Sequence, residues 1–408
     1  MYQVRRMAFD ICIIGAGIAG LYCARELSNK YPEAKICIIE KFKEIGGRAY
    51  TYHTTVNGMK VSWEAGAGRI HKSHHNVIKL LKEYGIDTIP IAGGVEWRTP
   101  EGSRLIDFMK LLQNLELHRI PEKDLESKTL KEIFTEIMGK KKSNEFMNRY
   151  EYRSEIDTLK ASKALESLSH ELGHQEGFSV VKGGFSLLVE KLKGSIPNVD
   201  ILTEHEVTDI QGTSILLKGK KAITASKIIV AVQRDAAVKL PCLTTLPIMN
   251  QVKMRPLVRM YAVFPLENGK AWFAGIKKFL CDLPIRYVLP MDPTKGTIMI
   301  SYTDGPEAEY WIKQKNPEEE VMKQIRSLFP DIQIPDPLFF KVHPWSDGCS
   351  YWIPGPFGPY DFNKVSKASV KPLPDMPNLY MCNESWAYEQ CWVKCSIDQA
   401  QKVIDIIE

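Results

Sequence analysis

The chain has 408 residues and a net charge of +5 at pH 7, with 44% hydrophobic and 25% charged residues. This balance is typical of a globular protein and excludes a disordered or collagen-like chain. The length suits two or three ordinary domains or one large two-lobed enzyme, so a stable core requires neither disulfides nor a metal.

The charge and cysteine patterns exclude several classes of protein. The densest basic run, Lys140 to Lys142, has no aromatic or glycine residues interleaved with it, so we interpret it as a solvated helix end and expect no nucleic-acid partner. The nine cysteines are odd in number and contain no CxxC pair, which indicates a reducing compartment. No segment approaches the roughly 20 apolar residues of a membrane-spanning helix. We therefore expect a soluble, cytoplasmic protein.

The first elements predicted along the chain form a strand–helix–strand unit. A short apolar run at 10–14 is typical of a buried parallel strand, and a helical pattern follows to about residue 29. A second buried strand is predicted at 35–39. This context matters because a glycine triplet outside a βαβ unit is weak evidence for any ligand.

The turn between the first strand and the helix has the GxGxxG spacing. The first glycine of this motif permits the tight turn, the second lets the backbone approach a pyrophosphate, and the third lets helix and strand pack closely. The free N–H groups of the helix N-terminus then face the phosphates. The turn predicts a dinucleotide site at Gly15, Gly17, Ile18, Ala19 and Gly20.

A carboxylate and a second glycine turn follow this unit. Glu40 ends the second strand about 20 residues after Gly20, where a carboxylate can accept hydrogen bonds from ribose hydroxyls. Lys41 follows directly, and Gly47 and Arg48 come shortly after it. A double glycine followed by arginine brings backbone and a guanidinium against a pyrophosphate from a second direction. The alternative is a simple turn with a surface arginine. The first glycine motif alone does not decide between FAD and NAD, and this second turn helps to decide.

The remaining chain changes character twice. The region from about 76 to 175 is predicted to be mostly helical with few strands, and the region from about 255 to 352 is predicted to form an antiparallel sheet. The clustered histidines at 71, 74 and 75 have no matching pair downstream, so we predict no metal site.

The sequence resembles the flavin-containing amine oxidase family, which includes the monoamine and polyamine oxidases. Four places carry the resemblance: IIGAGIAGLYCARELS through Glu40 to GGRAYT, the segment 63–71, VVKGGFSLLVEKL with Val207 downstream, and the segments 378–384 and 391–393. The resemblance implies FAD as the cofactor. It also implies an α/β fold, with a Rossmann-like FAD-binding lobe and an interleaved α+β substrate lobe that has an antiparallel sheet and helices.

The resemblance assigns the lobes and the cofactor contacts. The FAD-binding lobe is expected at 1–95, 176–240 and 355–408, and the substrate lobe at 96–175 and 241–354. In the family, the segment matching 63–71 runs beside the flavin, the valine matching Val207 holds the adenine, and N–H groups near Val393 meet the flavin ring. The further cofactor-binding residues implied by the resemblance are Gly66, Ala67, Gly68, Arg69, Glu384 and Trp392.

The resemblance is weaker in the substrate lobe. Relatives place two aromatic rings perpendicular to the flavin, and rings of this kind attract a cation and exclude water. Trp392 matches one wall, and Tyr351 is the candidate for the other, with Trp352 as the second choice. The alternative interpretation is that these rings are ordinary core packing.

Two departures from the family pattern, and one possible match at a cysteine, affect the chemistry. The lysine that holds a water near the flavin and assists the reaction with oxygen is here Arg259, which keeps its charge but is not equivalent. Asn383 and Cys391 replace glycines of the C-terminal motif. Monoamine oxidases attach FAD covalently to a cysteine, and Cys349 is the candidate here. Its motif matches only loosely, so we expect an unmodified thiol.

The sequence leaves three functions open. The first is oxidation of a small-molecule amine to an imine by hydride transfer to the flavin, with oxygen as acceptor and hydrogen peroxide as product. In that reading Arg259, Trp392 and Tyr351 are the candidate catalytic residues. The second is dehydrogenation of a non-amine substrate, as in porphyrinogen oxidases and carotenoid-type desaturases. The third is a flavoprotein with a structural role and little turnover. A homodimer is compatible with all three.

Overall fold

The structure is a computed structural model that describes residues 7–172, 176–355 and 362–408. Its strands and helices are numbered here in chain order. Two seven-stranded sheets dominate the fold. No helix of the described residues is long and apolar enough to cross a membrane.

The first sheet is built around four parallel neighbours. Its spatial order is β10-β2-β1-β13-β12-β11, and β19 pairs with β13 beyond the end of β12. The side chains of Ile11 to Ile14 in β1 alternate between two buried clusters, which explains why this part of the strand is apolar. The strands are β1 Ala8–Ile14, β2 Ile36–Ile39, β10 Asp200–Leu202, β11 Val207–Gln211, β12 Ser214–Leu217, β13 Ile223–Val230 and β19 Leu379–Met381.

The second sheet is antiparallel except for one pair. Its order is β18-β14-β17-β16-β15-β7-β8, and β15 and β7 run parallel. The long pair β14 and β18 forms the edge of this sheet nearest the glycine-rich segments described below. The strands are β7 Val95–Thr99, β8 Gly102–Ile106, β14 Val252–Val263, β15 Phe279–Leu280, β16 Tyr287–Asp292, β17 Thr297–Asp304 and β18 Phe339–Trp352.

Two small sheets and the helices complete the described chain. The small sheets pair β3 Thr51–Val56 with β4 Met59–Glu64, and β5 Ile70–His71 and β6 Thr88–Pro90 with β9 Phe178–Val181. The α-helices are α1 Ile18–Lys30, α2 His75–Glu83, α3 Phe108–Gln113, α4 Glu122–Ser127, α5 Leu130–Met138, α6 Lys140–Met147, α7 Arg153–Asp157, α8 Ala161–Ser167, α9 Phe185–Gly194, α10 Arg234–Ala237, α11 Pro241–Thr244, α12 Gly305–Ile312, α13 Pro317–Ser327, α14 Phe362–Ala368 and α15 Val393–Ile406.

The expectation of few strands between 76 and 175 is wrong in part. The segment contains β6, and its hairpin of β7 and β8 extends the second sheet through β15. The hairpin was missed because β8 is short and mostly exposed. In addition, β15, the strand that pairs with β7, lies almost 200 residues further along the chain. The boundaries of the two lobes stay a prediction.

Candidate functional site

The three glycines of the first turn lie in three different environments. Gly15 has φ +107°, and a Cβ there would lie 2.8 Å from the carbonyl oxygen of Ala231. A Cβ on Gly20 would lie 1.9 Å from the carbonyl oxygen of Gly15. A Cβ on Gly17 would meet no atom of the described residues within 4 Å. The outer glycines therefore allow tight packing, whereas Gly17 borders open space at the start of α1.

The N-terminus of α1 is left open toward that space. Among the described residues, no side chain caps the helix, and its first turn, which contains Ile18, Ala19 and Gly20, carries no acidic residue. The first N–H groups of a helix need partners, and an anion supplies them well. The open cradle beside Gly17 and the uncapped helix start fit a pyrophosphate.

Glu40 and Val207 are brought together at the end of β2. The Glu40 carboxylate accepts hydrogen bonds from the N–H groups of Ala16 (2.8 Å) and Phe42 (3.0 Å), so it holds the glycine turn. The N–H of His205 donates to the Glu40 carbonyl at 2.9 Å, which places Val207 nearby at the start of β11. A carboxylate has further lone pairs for ribose hydroxyls.

Lys41 points away from this cluster. Its ammonium pairs with Glu206 at 2.7 Å, and 53% of its side chain is exposed. The structure thus places Lys41 on the rim, where its side chain makes a surface ion pair.

Arg48 and Glu384 form a buried ion pair that connects distant parts of the chain. Nη1 of Arg48 lies 2.7 Å from Oε1 of Glu384 and donates to the Gly348 carbonyl at 3.0 Å. The other carboxylate oxygen of Glu384 accepts from the Ser350 hydroxyl (2.5 Å) and the Cys391 N–H (3.0 Å). Glu384 is only 4% exposed. The pair therefore fixes the glycine–arginine turn against β18 and the start of α15.

The segment from Glu64 to Gly68 runs between this pair and the second sheet. The Ala67 N–H donates to the Arg48 carbonyl at 2.8 Å, and a Cβ on Gly66 would lie 1.9 Å from that oxygen. Only a glycine fits at 66 without moving the backbone of Arg48. A Cβ on Gly68 would lie 2.6 Å from Nη1 of Arg259.

Arg259 supports the same segment from β14. Its Nη1 donates to the Glu64 carbonyl at 3.2 Å, and the Tyr261 hydroxyl donates to that carbonyl at 2.7 Å. The guanidinium lies 4.7 Å from the centre of the Tyr302 ring. Burial acts to lower the pKa of Arg259, but the hydroxyls of Tyr261 and Tyr302 outweigh it and raise the pKa. Arg259 is therefore a permanent cation beside Gly68.

Aromatic rings gather around Arg69 and Trp392. The Arg69 guanidinium lies 4.1 Å from the centre of the Phe178 ring, 5.2 Å from Tyr152 and 5.7 Å from Trp392. Trp392 stacks on Phe178 with ring centres 5.9 Å apart, and His74 meets its edge. Trp392 is also the residue before α15, so Val393 presents its N–H at a helix start.

Trp392 and Tyr351 line one cavity, together with the second-choice residue Trp352. The cavity encloses about 50 Å³. Since one water needs roughly 10–15 Å³, this is room for a few water-sized groups. The sequence did not point to Glu155 and Tyr388, which also line it, because neither belongs to a recognisable motif.

Cys349 and Cys391 are neighbours across β18 and the loop before α15. Burial raises the pKa of the Cys391 thiol, and a hydrogen bond with the Cys349 thiol raises it further. Cys391 has φ +69°, the conformation that glycine adopts most easily, so the chain keeps a glycine-like turn here at some cost in backbone strain. Asn383 is extended and accepts a hydrogen bond from the Ser385 N–H. A covalent link at Cys349 stays a prediction.

Comparisons with known proteins decide the family. The family model described as flavin containing amine oxidoreductase matches residues 18–403. The chain belongs to this family. Its members are FAD-dependent oxidoreductases, and FAD is the cofactor of this protein as well.

Individual relatives of this amine oxidoreductase are distant. L-amino-acid oxidase of Mus musculus is 25% identical over 60% of the chain, and the match spans 45% of that relative's length. The chain spans less than half the length of this curated relative. Putrescine oxidase bound to putrescine superposes with a TM-score of 0.74 at 16% identity over 98% of both chains. Cyclohexylamine oxidase from Brevibacterium oxydans superposes with a TM-score of 0.73 at 17% identity over 97% of the chain and 98% of that chain. These likenesses show the mixed α/β fold.

Alanine substitutions at Gly20 and Gly17 should have different effects, because the two glycines lie in different environments. Gly20→Ala should lower the free energy of unfolding by about 2 kcal/mol or more, because the methyl group collides with the Gly15 carbonyl. Gly17→Ala should leave thermal unfolding of the cofactor-free protein nearly unchanged but weaken FAD binding about tenfold or more, because the methyl group enters the open cradle. Thermal unfolding and calorimetric FAD titration measure the two effects. Equal stability loss in both variants would contradict this assignment.

Proposed function

We propose that the protein oxidises a small-molecule amine to an imine, using FAD as the hydride acceptor and oxygen as the final electron acceptor. The observation that carries the proposal is the cavity, whose lining includes the aromatic residues Trp392, Tyr351 and Tyr388 together with Glu155. Aromatic faces and carboxylates attract a cationic amine. Two of the solved structures that resemble the fold are oxidases of putrescine and cyclohexylamine, both of which are amines.

The residues proposed to hold FAD come from separate parts of the chain. The turn at Gly15–Gly20 and the start of α1 would receive the pyrophosphate, with Arg48 reaching it from a second direction. Glu40 would accept the ribose hydroxyls, Val207 would hold the adenine, and Lys41 would add positive charge at the rim. The residues proposed to meet the flavin and its side chain are Gly66, Ala67, Gly68, Arg69, Glu384, Trp392 and Val393.

The protein's part in the reaction is binding, orientation and exclusion of water. When bound, FAD would supply the acceptor for the hydride on the carbon next to the amine nitrogen, and the imine product would be hydrolysed by water. Trp392 and Tyr351 would hold that carbon toward the flavin and keep water out. The substrate loses two electrons and two protons, which reduce one oxygen molecule to hydrogen peroxide. The cavity thus needs no strong acid or base.

Arg259 is proposed to assist the oxygen half of the reaction. It is a buried cation in close contact with Gly68, in the segment proposed to run beside the flavin. A fixed positive charge stabilises the negative charge that develops as oxygen takes up electrons. Its bonds to the Glu64 carbonyl would keep the guanidinium in place.

The main alternative is dehydrogenation of a large non-amine substrate. Such a reaction favours a long apolar tunnel, whereas the cavity of the described residues encloses about 50 Å³ and includes carboxylates. These features favour a slim, cationic substrate. A flavoprotein with a structural role predicts no turnover with any amine.

Anaerobic mixing with amines tests the proposed function. We expect a panel of primary and secondary aliphatic and aromatic amines to include compounds that bleach the visible absorbance of the bound flavin. Admission of oxygen should restore the colour with one hydrogen peroxide per flavin. If no amine bleaches a fully loaded flavin that dithionite does bleach, the proposal is wrong.

Replacement of Arg259 tests the oxygen step separately. Arg259→Met should slow reoxidation of the reduced flavin about tenfold or more, because the cation is lost, while anaerobic reduction by the amine changes far less. Arg259→Lys is the matched control, since it keeps a positive charge. Stopped-flow absorbance measures both half-reactions at equal flavin content. An unchanged reoxidation rate in the methionine variant would remove Arg259 from this role.

A further inference from the structure

Glu155 is a buried carboxylate that faces the cavity. It lies in α7 and is 7% exposed. Within the described residues its carboxylate has neither a hydrogen-bond partner nor an ion-pair partner, yet it lines the same cavity as Tyr351 and Trp392. Buried carboxylates are ordinarily paired, because burying an unpaired charge is costly. Its partner is therefore not found among the described residues, and a bound cation is one group that could supply it.

The position of Glu155 is fixed by its surroundings. The Asp304 carboxylate accepts the N–H groups of Arg153 and Ser154, each at 2.9 Å, and so caps the short helix that carries Glu155. After α7, the Lys160 N–H donates to the Trp352 carbonyl at 2.8 Å, which fastens this region to the cavity wall on β18. The backbone before and after Glu155 is thus attached to neighbouring elements at two places.

The other carboxylates at the cavity are already paired. Glu166 forms an ion pair with Lys163 at 2.6 Å, and Glu389 forms an ion pair with Lys394. The Lys163 ammonium also lies over the Tyr388 ring at 3.5 Å. Glu155 is therefore the carboxyl group without an ion-pair partner among those lining the described cavity.

Glu155 also acts on the residues proposed to meet substrate and flavin. Burial first, and then the neighbouring charges that include Glu155, raise the pKa of the Tyr351 hydroxyl and of the Cys391 thiol. The carboxylate therefore lies close to Tyr351 and Cys391, and the Cys391 N–H donates to Glu384.

We propose that Glu155 binds the non-reacting ammonium group of an aliphatic diamine, and so selects diamines over monoamines. The inference rests on the proposed function. The nitrogen next to the oxidised carbon must be neutral, because its lone pair is needed to release the hydride. A nitrogen paired with a buried carboxylate keeps its proton and its charge. The group at Glu155 is therefore a second nitrogen, and the small cavity favours an unbranched chain between the two.

The protonation of Glu155 gives this subsite a defined pH dependence. Burial, with a smaller contribution from Asp304, raises the pKa of Glu155 to about 8. The other titratable groups lining the cavity are Lys163, Glu166, His170, Tyr351, Tyr388, Glu389 and Cys391. Near neutral pH the empty cavity thus holds a neutral acid, and an ammonium must displace its proton. Diamine affinity should rise as the pH rises toward about 8 and then level off.

Binding to the reduced protein tests the subsite without turnover. Protein loaded with FAD and reduced with dithionite under nitrogen cannot oxidise an amine, so calorimetry reports binding alone. We expect at least one α,ω-diamine, in a series from propane to octane, to bind roughly tenfold or more tightly than the n-alkylamine of equal chain length. The same titration in buffers of different ionisation enthalpy should show about one proton more released at neutral pH with the diamine than with the n-alkylamine, because Glu155 loses its proton only when the second ammonium binds.

Two variants distinguish an effect of the Glu155 charge from a general effect of removing a charge from α7. Glu155→Gln removes the charge with little change in shape and should abolish the diamine preference and the proton release. Asp157→Asn makes the same charge change in α7 at a residue outside the cavity lining and should keep both. A diamine preference that survives Glu155→Gln, or no preference in the unaltered protein, would overturn the inference.

The outcomes also separate this inference from the proposed function. Bleaching of the flavin by n-alkylamines without any diamine preference would leave amine oxidation standing and remove the Glu155 subsite. If a diamine binds tightly through Glu155 but never bleaches the flavin, the Glu155 subsite stands and amine oxidation is contradicted for that compound.

Discussion

The buried ion pair between Arg48 and Glu384 is the interaction on which the rest of the site depends. It joins residues 336 positions apart, and its two carboxylate oxygens and guanidinium also hold Gly348, Ser350 and Cys391. Removing one partner of a buried pair leaves the other charge uncompensated, which is typically worth 3–5 kcal/mol. The glycine turn, β18 and the start of α15 are thus held together by this one ion pair.

This ion pair connects segments that follow strands of the first sheet to β18 of the second sheet. The first sheet supplies the glycine turn and α1, where an anion can be held by N–H groups. The second sheet supplies Arg259 and the wall that carries Cys349 to Trp352. The segment from Glu64 to Gly68 lies between them and is held by bonds from both sides. The proposed flavin position and the cavity are therefore set by the same contacts.

The cofactor half of the site could be predicted from the sequence, and much of the substrate half could not. The roles of Gly15, Gly17 and Gly20 depend on neighbours a few residues away, so the local pattern contains them. Glu155 depends on what packs around α7, including Asp304, which is 149 positions away. The contact between Cys349 and Cys391 and the pairing of β7 with β15 likewise join distant segments that no periodic pattern connects. The resemblance located Arg48 and Glu384, but only the structure shows that they pair.

The most direct test of this account is a double-mutant cycle at the ion pair, read out as FAD affinity. Protein stripped of flavin would be titrated with FAD by calorimetry for the unaltered chain, Arg48→Met, Glu384→Gln and the double variant. We expect each single variant to lose about a hundredfold or more in affinity, and the double variant to lose little more than one single variant, because the two residues act as a unit. Strictly additive losses, or full FAD affinity in either single variant, would contradict the account.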